Sequence, residues 1–374
     1  MRPQFDEMNF FKKNTEEHRA TSLSELTWQR FMKEKEGLIS LGFIIFVVIV
    51  AILGYLITPD GTPHCNHQQL EIALCKPGTS VLMLQTYPEQ EVEKVGVFHK
   101  MLFGQASQYI TIPVDKIEEH LDKGFIKAHL IGTSEWAQYD YKSLPSHPVI
   151  KKTFLLGTDR YGRDVLSQLM MGTRVSLAVG FLSIFIALVI GITVGAIAGY
   201  YRGKVDDILT FIINVVWSIP TLLLVIAISF ALGKGFWQIF IAIGLTMWVD
   251  IARVVRGQVI SLREQDFVES GRALGYNNLR IIFKHILPNI TGTVIVISAS
   301  NFSSAILTEA GLSFLGLGVQ PPMPSWGMMM KENYAYIVLD KAYLAIVPGV
   351  AIMLLVLSFM LIGNALRNAM DVRN

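Results

Sequence analysis

The sequence predicts an all-α polytopic membrane protein with six transmembrane helices and a small α+β insert between helices 1 and 2. Three observations predict it. Charged residues make up only 17% of the 374 residues, against about 25% in soluble domains, and the mean hydropathy is +0.44. The apolar residues gather in long runs without charge rather than spreading as a soluble core would spread them. An external stretch of about 95 residues of mixed polarity (59–152) lies between the first run and the second. Together these exclude a disordered chain, a coiled coil and an ordinary soluble enzyme. A net charge of +2 gives no footprint for nucleic acid, and two cysteines are too few for a disulfide scaffold.

Crossing the hydrocarbon core takes roughly 20 apolar residues of helix. The candidate runs are Leu38–Thr58, Val175–Tyr201, Ile208–Gly233, the shorter Gly235–Val249, Ile286–Thr308 and Ala342–Leu366. The region before the first run is too long for a signal peptide and no small-residue cleavage site follows it, so this run reads as a retained anchor. Basic residues in short connections set orientation. Lys12, Lys13, Arg19, Arg30, Lys33 and Lys35 precede the first run, and Arg202 and Lys204 follow the second. Arg253, Arg256, Arg263, Arg272, Arg280 and Lys284 follow the fourth, and Arg367 and Arg373 close the chain. Six crossings put all of these on one side, which predicts cytoplasmic termini. The short connection after the third run holds only Lys234. The chain then divides into a cytoplasmic tail (1–37), a first helix (38–58), an external insert (59–152) and a membrane core (153–374) with a cytoplasmic loop at about 253–288.

The insert is too long for a bare loop. Val81-Leu82-Met83-Leu84 and Tyr109-Ile110-Thr111-Ile112 read as strands, and Val114–Gly124 reads as a helix with Asp115 favouring its N-terminus. Cys65 and Cys75 both lie here, where an oxidising compartment permits either a bridge or two free thiols. His64, Cys65, His67 and Cys75 fit no standard zinc spacing.

No G-x-x-x-x-G-K-[ST] run, G-x-S-x-G elbow or H-E-x-x-H pair occurs, so the chain shows no nucleotide cradle or hydrolytic centre of its own. The most informative stretch is Gln265–Tyr276, followed by Ile281–Lys284 and His285–Asn289. It reads as helix, glycine break, short helix, and a proline opening the next crossing. Gly275 is placed to take a positive φ and end the first helix. Asn277 can cap the second, whose Leu279, Ile282 and Phe283 form an apolar face. Pro288 falls in the first turns of the next helix, where it costs least or makes a kink. A helix–turn–helix on the membrane surface, apolar and basic, invites a cytoplasmic partner.

This stretch resembles the EAA loop of ABC importer membrane subunits: Glu269-Ser270-Gly271, then Gly275, then Ile286-Leu287-Pro288. Serine and glycine replace the two alanines, both small. Leu156-Gly157-Thr158-Asp159-Arg160-Tyr161-Gly162-Arg163-Asp164-Val165-Leu166-Ser167 is similar to the G-T-D-x-x-G-R-D-x-x-S segment of the dipeptide/oligopeptide permeases. Two further stretches fit: Glu309–Gly318 running into Pro321–Gly327, and Gly363–Asp371, where asparagines replace the family's aspartates and Val372 its proline. The resemblance points to the C-type subunit and covers Leu156 to the end plus the first crossing. It says nothing of the insert, which is longer than the family's usual connection.

The resemblance implies a multi-pass subunit of the bacterial cytoplasmic (inner) membrane. It implies a second homologous permease subunit, one or two P-loop ATPase subunits and an extracytoplasmic substrate-binding protein as partners, with the lipid bilayer around them. ATP and magnesium would belong to the ATPase and no cofactor to this chain. The cargo would be di/oligopeptides, with nickel chelates or glutathione-like peptides as alternatives within the family. A membrane-anchored sensor or assembly protein acting through the insert is the rival from another class, and a proton-coupled carrier a third. Glu269, Gly271, Arg272, Gly275, Asn277, Asn278 and Arg280 would form the ATPase-docking loop, with Leu287 and Pro288 setting the entry angle of the fifth crossing. Asn214 and Asn301 sit inside crossings, where an amide either lines the path or bonds a neighbouring helix. Asp250 and Glu309 sit at crossing ends; an ionisable group inside the membrane is a functional suspect, and at an end the competing reading is interfacial solvation or pairing, for example of Asp250 with Arg253 or Arg256. Pro321–Trp326 reads as an outward gate, a docking edge, or a rigid loop with Trp326 at the headgroups. Gly191, Gly195 and Gly199 form a small-residue stripe suited to close packing within the subunit.

Overall fold

This computed structural model of the protein describes residues 23–370 apart from 89–91, 93–94, 121–123, 234 and 236. The basic residues of the tail before Leu23, Lys234 and the stretch from Asp371 lie outside the described residues. A short helix α1 (Leu23–Phe31) precedes α2 (Lys35–Ile57), the first crossing. The insert follows, with strands β1 (Thr79–Thr86), β2 (Ile110–His120), β3 (Phe125–Leu130), β4 (Trp136–Asp140) and β5 (Val149–Phe154); helix α3 (Val97–Phe103) lies between β1 and β2. The membrane core comprises α4 (Val165–Tyr201), α5 (Gly203–Trp217), α6 (Thr221–Leu232), α7 (Trp237–Arg263), α8 (Asp266–Ala273), α9 (Asn278–Ile281), α10 (Leu287–Phe314), α11 (Trp326–Asn333) and α12 (Tyr343–Met370).

Among the described residues, five helical stretches are long and apolar enough to cross a membrane: α2, α4, α7, Asn278–Phe314 and α12. The third predicted run is not one straight helix. It breaks into α5 and α6, bent by 92°. The break falls at Ser218–Pro220, where the proline ring disfavours helical backbone at Ile219 and removes a donor. At about 1.5 Å per residue α4 is about 55 Å long, well beyond the roughly 30 Å hydrocarbon core, so it projects from the membrane. The glycine stripe explains how α4 and α7 approach. A Cβ on Gly191 would sit 2.7 Å from the Ile251 Cβ, and one on Gly199 2.8 Å from the Arg256 carbonyl.

The insert is built on a five-stranded antiparallel sheet, ordered β4-β3-β2-β1-β5. Leu84, Val114, Ile126 and Ala128 pack on one face, and Val81, Met83 and Phe154 pack with Ile72 on the other. The predicted strands are confirmed, but the predicted helix from Val114 is not. Residues 114–120 continue β2: Val114 pairs with both β1 and β3, and Lys116–His120 pair with β3. Asp115 is the extra residue where the register shifts between Val114 and Lys116, a β-bulge rather than a helix start. The bulge breaks the period-2 alternation that would have marked the strand.

The two ends of the insert are laced together where they meet the membrane core. The Gln69 amide donates to the Tyr161 carbonyl (3.0 Å), Leu74 to Asp159 (3.0 Å) and Thr158 to Cys75 (3.2 Å). The Cys75 amide returns to the Thr158 hydroxyl (2.9 Å). A bridge between Cys65 and Cys75 is absent, and both are free thiols. Cys65 is buried beside Tyr55 and Met171 and donates to the Asp60 carbonyl (2.9 Å), whereas Cys75 belongs to the lacing and packs with the sheet.

Candidate functional site

The predicted loop lies at the end of the bundle far from the insert, where α7 ends. Its turn is closed as the sequence requires. The Gly275 amide donates to Arg272 (2.9 Å) and the Tyr276 amide to Gly271 (3.0 Å), with Gly275 at φ +76°. This is a Schellman motif, which needs one left-handed residue. Asn277 then caps α9, its Oδ1 accepting from the Arg280 amide (2.8 Å). Pro288 has no N–H to offer the Lys284 carbonyl and its ring crowds that carbonyl. The helix opens there into a single π turn, Ile282–Ile286, before α10 continues.

One face of the loop is fixed. Val268, Ile281, Ile282 and Ile286 are buried, and the Tyr200 hydroxyl at the end of α4 donates to the Asn278 side chain (2.9 Å). The Arg263 and Arg272 guanidinium groups lie over the Tyr200 ring at 5.9 and 5.5 Å. Arg280 covers Tyr276 at 3.9 Å, and Tyr276 stacks on His285. The opposite face is bare: Leu274 is 71% exposed, Leu279 61% and Phe283 64%, among exposed Glu269, Arg272 and Arg280. The predicted apolar face of α9 is therefore split, with Ile282 facing inward and Leu279 and Phe283 outward. Gly271 is buried, and a methyl there would meet the Tyr276 ring at 3.4 Å, an ordinary contact. Leu287 is half-buried and Pro288 exposed. Sequence reasoning missed Tyr200 and Tyr276, whose only signal was an aromatic at each junction.

On the insert side a buried charged cluster seats α4. Asp164 caps the helix, accepting from the Ser167 amide (2.9 Å) and from its hydroxyl. Burial pushes the Asp164 carboxyl above the usual carboxylate range. Asp159 accepts from the Tyr161 and Arg163 amides (2.9 Å each). The Arg163 guanidinium bridges Asp159 and Glu332 of α11, each at 2.6 Å. The G-T-D-x-x-G-R-D segment is thus a buried joint between the insert, α4 and α11. Gly162 takes φ +73°, and a Cβ there would overlap the Gln69 backbone.

The remaining candidates part company. Asn214 is exposed on α5 and accepts from Arg253 (3.0 Å), which also covers the Trp217 ring at 3.8 Å. Asn301 is buried inside the bundle, its Nδ2 without a partner among the described residues. Asp250 is exposed, but Arg256 pairs with Asp206 (2.5 Å) instead and Arg253 with Asn214. Glu309 is not solvated at an interface. It is fully buried, accepting from the Ser313 hydroxyl (2.6 Å), which in turn accepts from Ser325 (3.3 Å). The cause is α11, which folds back so that Gly327 packs against Ala310 and Ser313. Trp326 goes inward with it, donating to the Leu169 carbonyl (2.8 Å) rather than resting at the headgroups.

Comparison with known proteins covers the loop and the first crossing. A family described as the binding-protein-dependent transport system inner membrane component matches residues 191–372, and the N-terminal transmembrane domain of oligopeptide transport permease C matches residues 22–72. The glutathione transport system permease protein GsiD of Pectobacterium atrosepticum is 40% identical over 252 residues, 65% of this chain and 83% of that protein. The dipeptide transport system permease protein DppC of Alkalihalophilus pseudofirmus is 41% identical over 246 residues, 66% of this chain and 80% of that protein. The chain belongs to the binding-protein-dependent transport inner membrane components, among the C-type permeases of the dipeptide/oligopeptide/glutathione group. It is a multi-pass permease subunit of the bacterial inner membrane.

Proposed function

We propose that this chain forms half of the translocation path of an ATP-driven importer of di/oligopeptides, glutathione-type peptides included, and that the α8–α9 loop receives the ATPase. The observation that carries the reading is the bare face of Leu274, Leu279 and Phe283 among Glu269, Arg272 and Arg280, held on a capped, aromatic-braced scaffold. An apolar centre with a charged rim is the composition of a protein interface. Rigid bracing is what a lever needs if closure of an ATPase pair is to reach the crossings as rigid-body motion. The basic residues flanking the crossings, together with this role, support an orientation with both termini and the loop in the cytoplasm and the insert outside. A second permease subunit would complete the path and a substrate-binding protein would deliver cargo on the insert side. ATP and magnesium would reside in the ATPase.

The test is to tag the chain in its host, purify it in mild detergent and identify what accompanies it. Recovery of a P-loop ATPase and a second permease is expected. A cysteine at Leu279 should then cross-link to that ATPase. Recovery of the chain alone, under conditions that keep other transporters intact, refutes the reading. The binding protein in the same complex identifies the cargo by direct ligand binding.

A further inference from the structure

Helix α3 is the least expected part of the insert. Five of its seven residues are large and apolar, and no residue of it is buried. Val97, Phe98, Leu102 and Phe103 are all more than half exposed, Phe98 at 80%. Such a surface next to a soluble sheet is an interaction site, and its position says with what.

The position is set by Arg174 of α4. Its guanidinium donates to the Ala51 carbonyl (2.5 Å) and the Ile52 carbonyl (2.9 Å) of α2, and to the Met101 (2.5 Å) and Leu102 (3.0 Å) carbonyls that end α3. The Tyr55 ring lies beneath it at 4.8 Å. The chain after α3 is pinned as well: the Gln105 amide donates to Gly61 (3.0 Å). At Gly104, which has φ +76°, a Cβ would press on the Gly61 carbonyl and the Tyr55 ring.

These bonds give a depth. From Leu38 to Ile57, α2 carries a charge-free length of about 30 Å, matching the hydrocarbon core. The Ile57 end is therefore the boundary on the insert side, and Ile52 lies about 8 Å inside it at 1.5 Å per residue. The Met101 and Ile52 oxygens share one Arg174 nitrogen, at 2.5 and 2.9 Å, so they are within about 5 Å of each other by that geometry. The C-terminal end of α3 is held inside the boundary, within the roughly 5–10 Å at which interfacial helices rest. Beside it the α2 surface is already lipid-facing, with Ile52, Leu56 and Ile57 exposed.

We infer that α3 is a membrane-surface anchor whose Val97, Phe98, Leu102 and Phe103 insert into the lipid leaflet on the insert side. The occupant of this apolar face is lipid. The clamp fixes the anchor to the first two crossings, so the sheet on either side of it in sequence stands at a set height above the bilayer.

Nitroxide labels on the full chain, reconstituted in phosphatidylcholine/phosphatidylglycerol nanodiscs, read the depth. The positions are Phe98→Cys and Leu102→Cys in a Cys65→Ala, Cys75→Ala background, with Phe46→Cys on α2 and Glu119→Cys on the sheet as references. Collision with oxygen relative to collision with a water-soluble nickel chelate is expected to rise at 98 and 102 towards the value at 46, well above that at 119. A ratio at 98 equal to that at 119 overturns the inference by showing a helix in water. Shielding from both agents overturns it by showing a protein cover, either a second copy or a partner subunit. On the unsubstituted chain, a phospholipid with a diazirine near the headgroup should leave adducts within Val97–Phe103. Adducts on α2 with none on α3 overturn the inference independently of any variant.

Discussion

Replacing Gly275 tests whether the docking loop works through its shape. No atom lies within 4 Å of where a Cβ would stand, so a side chain there meets nothing. The whole effect must come from holding an L-residue at φ +76°, which costs about 1–2 kcal/mol. The loop could escape by abandoning that conformation, but it would then lose the Gly275–Arg272 and Tyr276–Gly271 hydrogen bonds. At about 0.5–1.5 kcal/mol each, that alternative costs as much or more. The ratio of closed to open loop is therefore expected to fall about five- to thirtyfold in Gly275→Val, while the crossings remain intact. Asparagine tolerates the left-handed region better than other non-glycine residues, so Gly275→Asn should fall between glycine and valine. The assay is substrate-stimulated ATP hydrolysis by the assembled complex in lipid, with amide exchange across residues 270–282 as the structural readout. Coupling should rank glycine above asparagine above valine, with exchange ranking in reverse. Unchanged stimulation in Gly275→Val refutes the lever argument. Equal loss in the asparagine and valine variants refutes the conformational one.

Four residues earlier the sign reverses: Gly271→Ala should slow amide exchange in α8. It gains about 0.8–1 kcal/mol of helix propensity and an unstrained contact with Tyr276, and faster exchange would contradict this. Arg163→Met leaves the buried Asp159 without its cation and the half-buried Glu332 with only the more distant Arg160 at 3.6 Å, so thermal unfolding in detergent should show a loss of about 3–5 kcal/mol. If instead the loss is within the usual surface range, the joint is not a structural one. Burial holds the His67 imidazole below its ordinary value, with Lys152 adding to this and Asp60 opposing, and burial lowers His64 as well. The folded insert therefore binds fewer protons than the unfolded chain just below about pH 6.5. Its stability should fall as pH drops through that window, seen as faster exchange over residues 60–70 at pH 5.5 than at pH 7.5 after correction for intrinsic rates. Alkylation under denaturing, non-reducing conditions should count two thiols. Cys65 should resist reagent in the native state, since burial raises its pKa and suppresses the thiolate.

What could be read from the chain follows from which signals are local. Runs without charge located the crossings, and Gly275, Asn277 and Pro288 punctuated the loop as they do in the fold, because caps and turns depend on neighbouring residues alone. Pairing in the insert is not local. β1 hydrogen-bonds to β5 some 70 residues on, and the bulge at Asp115 disguised β2 as a helix. Pro220 carried the signal for the broken third run, but a continuous apolar stretch outweighed it. From sequence Glu309 reads as a functional or interfacial group and Trp326 as part of a gate, a docking edge or a headgroup loop, because nothing local announces that α11 folds back over the end of α10. Arg174 stood among ordinary helix residues, and only its four carbonyl partners, from two distant helices, reveal the clamp.

The lacing of Gln69, Leu74 and Cys75 to Tyr161, Asp159 and Thr158 makes the sheet a graft. The chain leaves the permease framework and re-enters it at hydrogen-bonded neighbours, so whatever is spliced between them changes neither end point. A turn of about two to five residues suffices to close an antiparallel pair, and a structure of any larger size is tolerated at that junction if its own termini are adjacent. The sheet can therefore be lengthened, shortened or exchanged without moving those end points, so long as α3 keeps its hold on Arg174, and the same junction offers a place to install a reporter domain on a working importer.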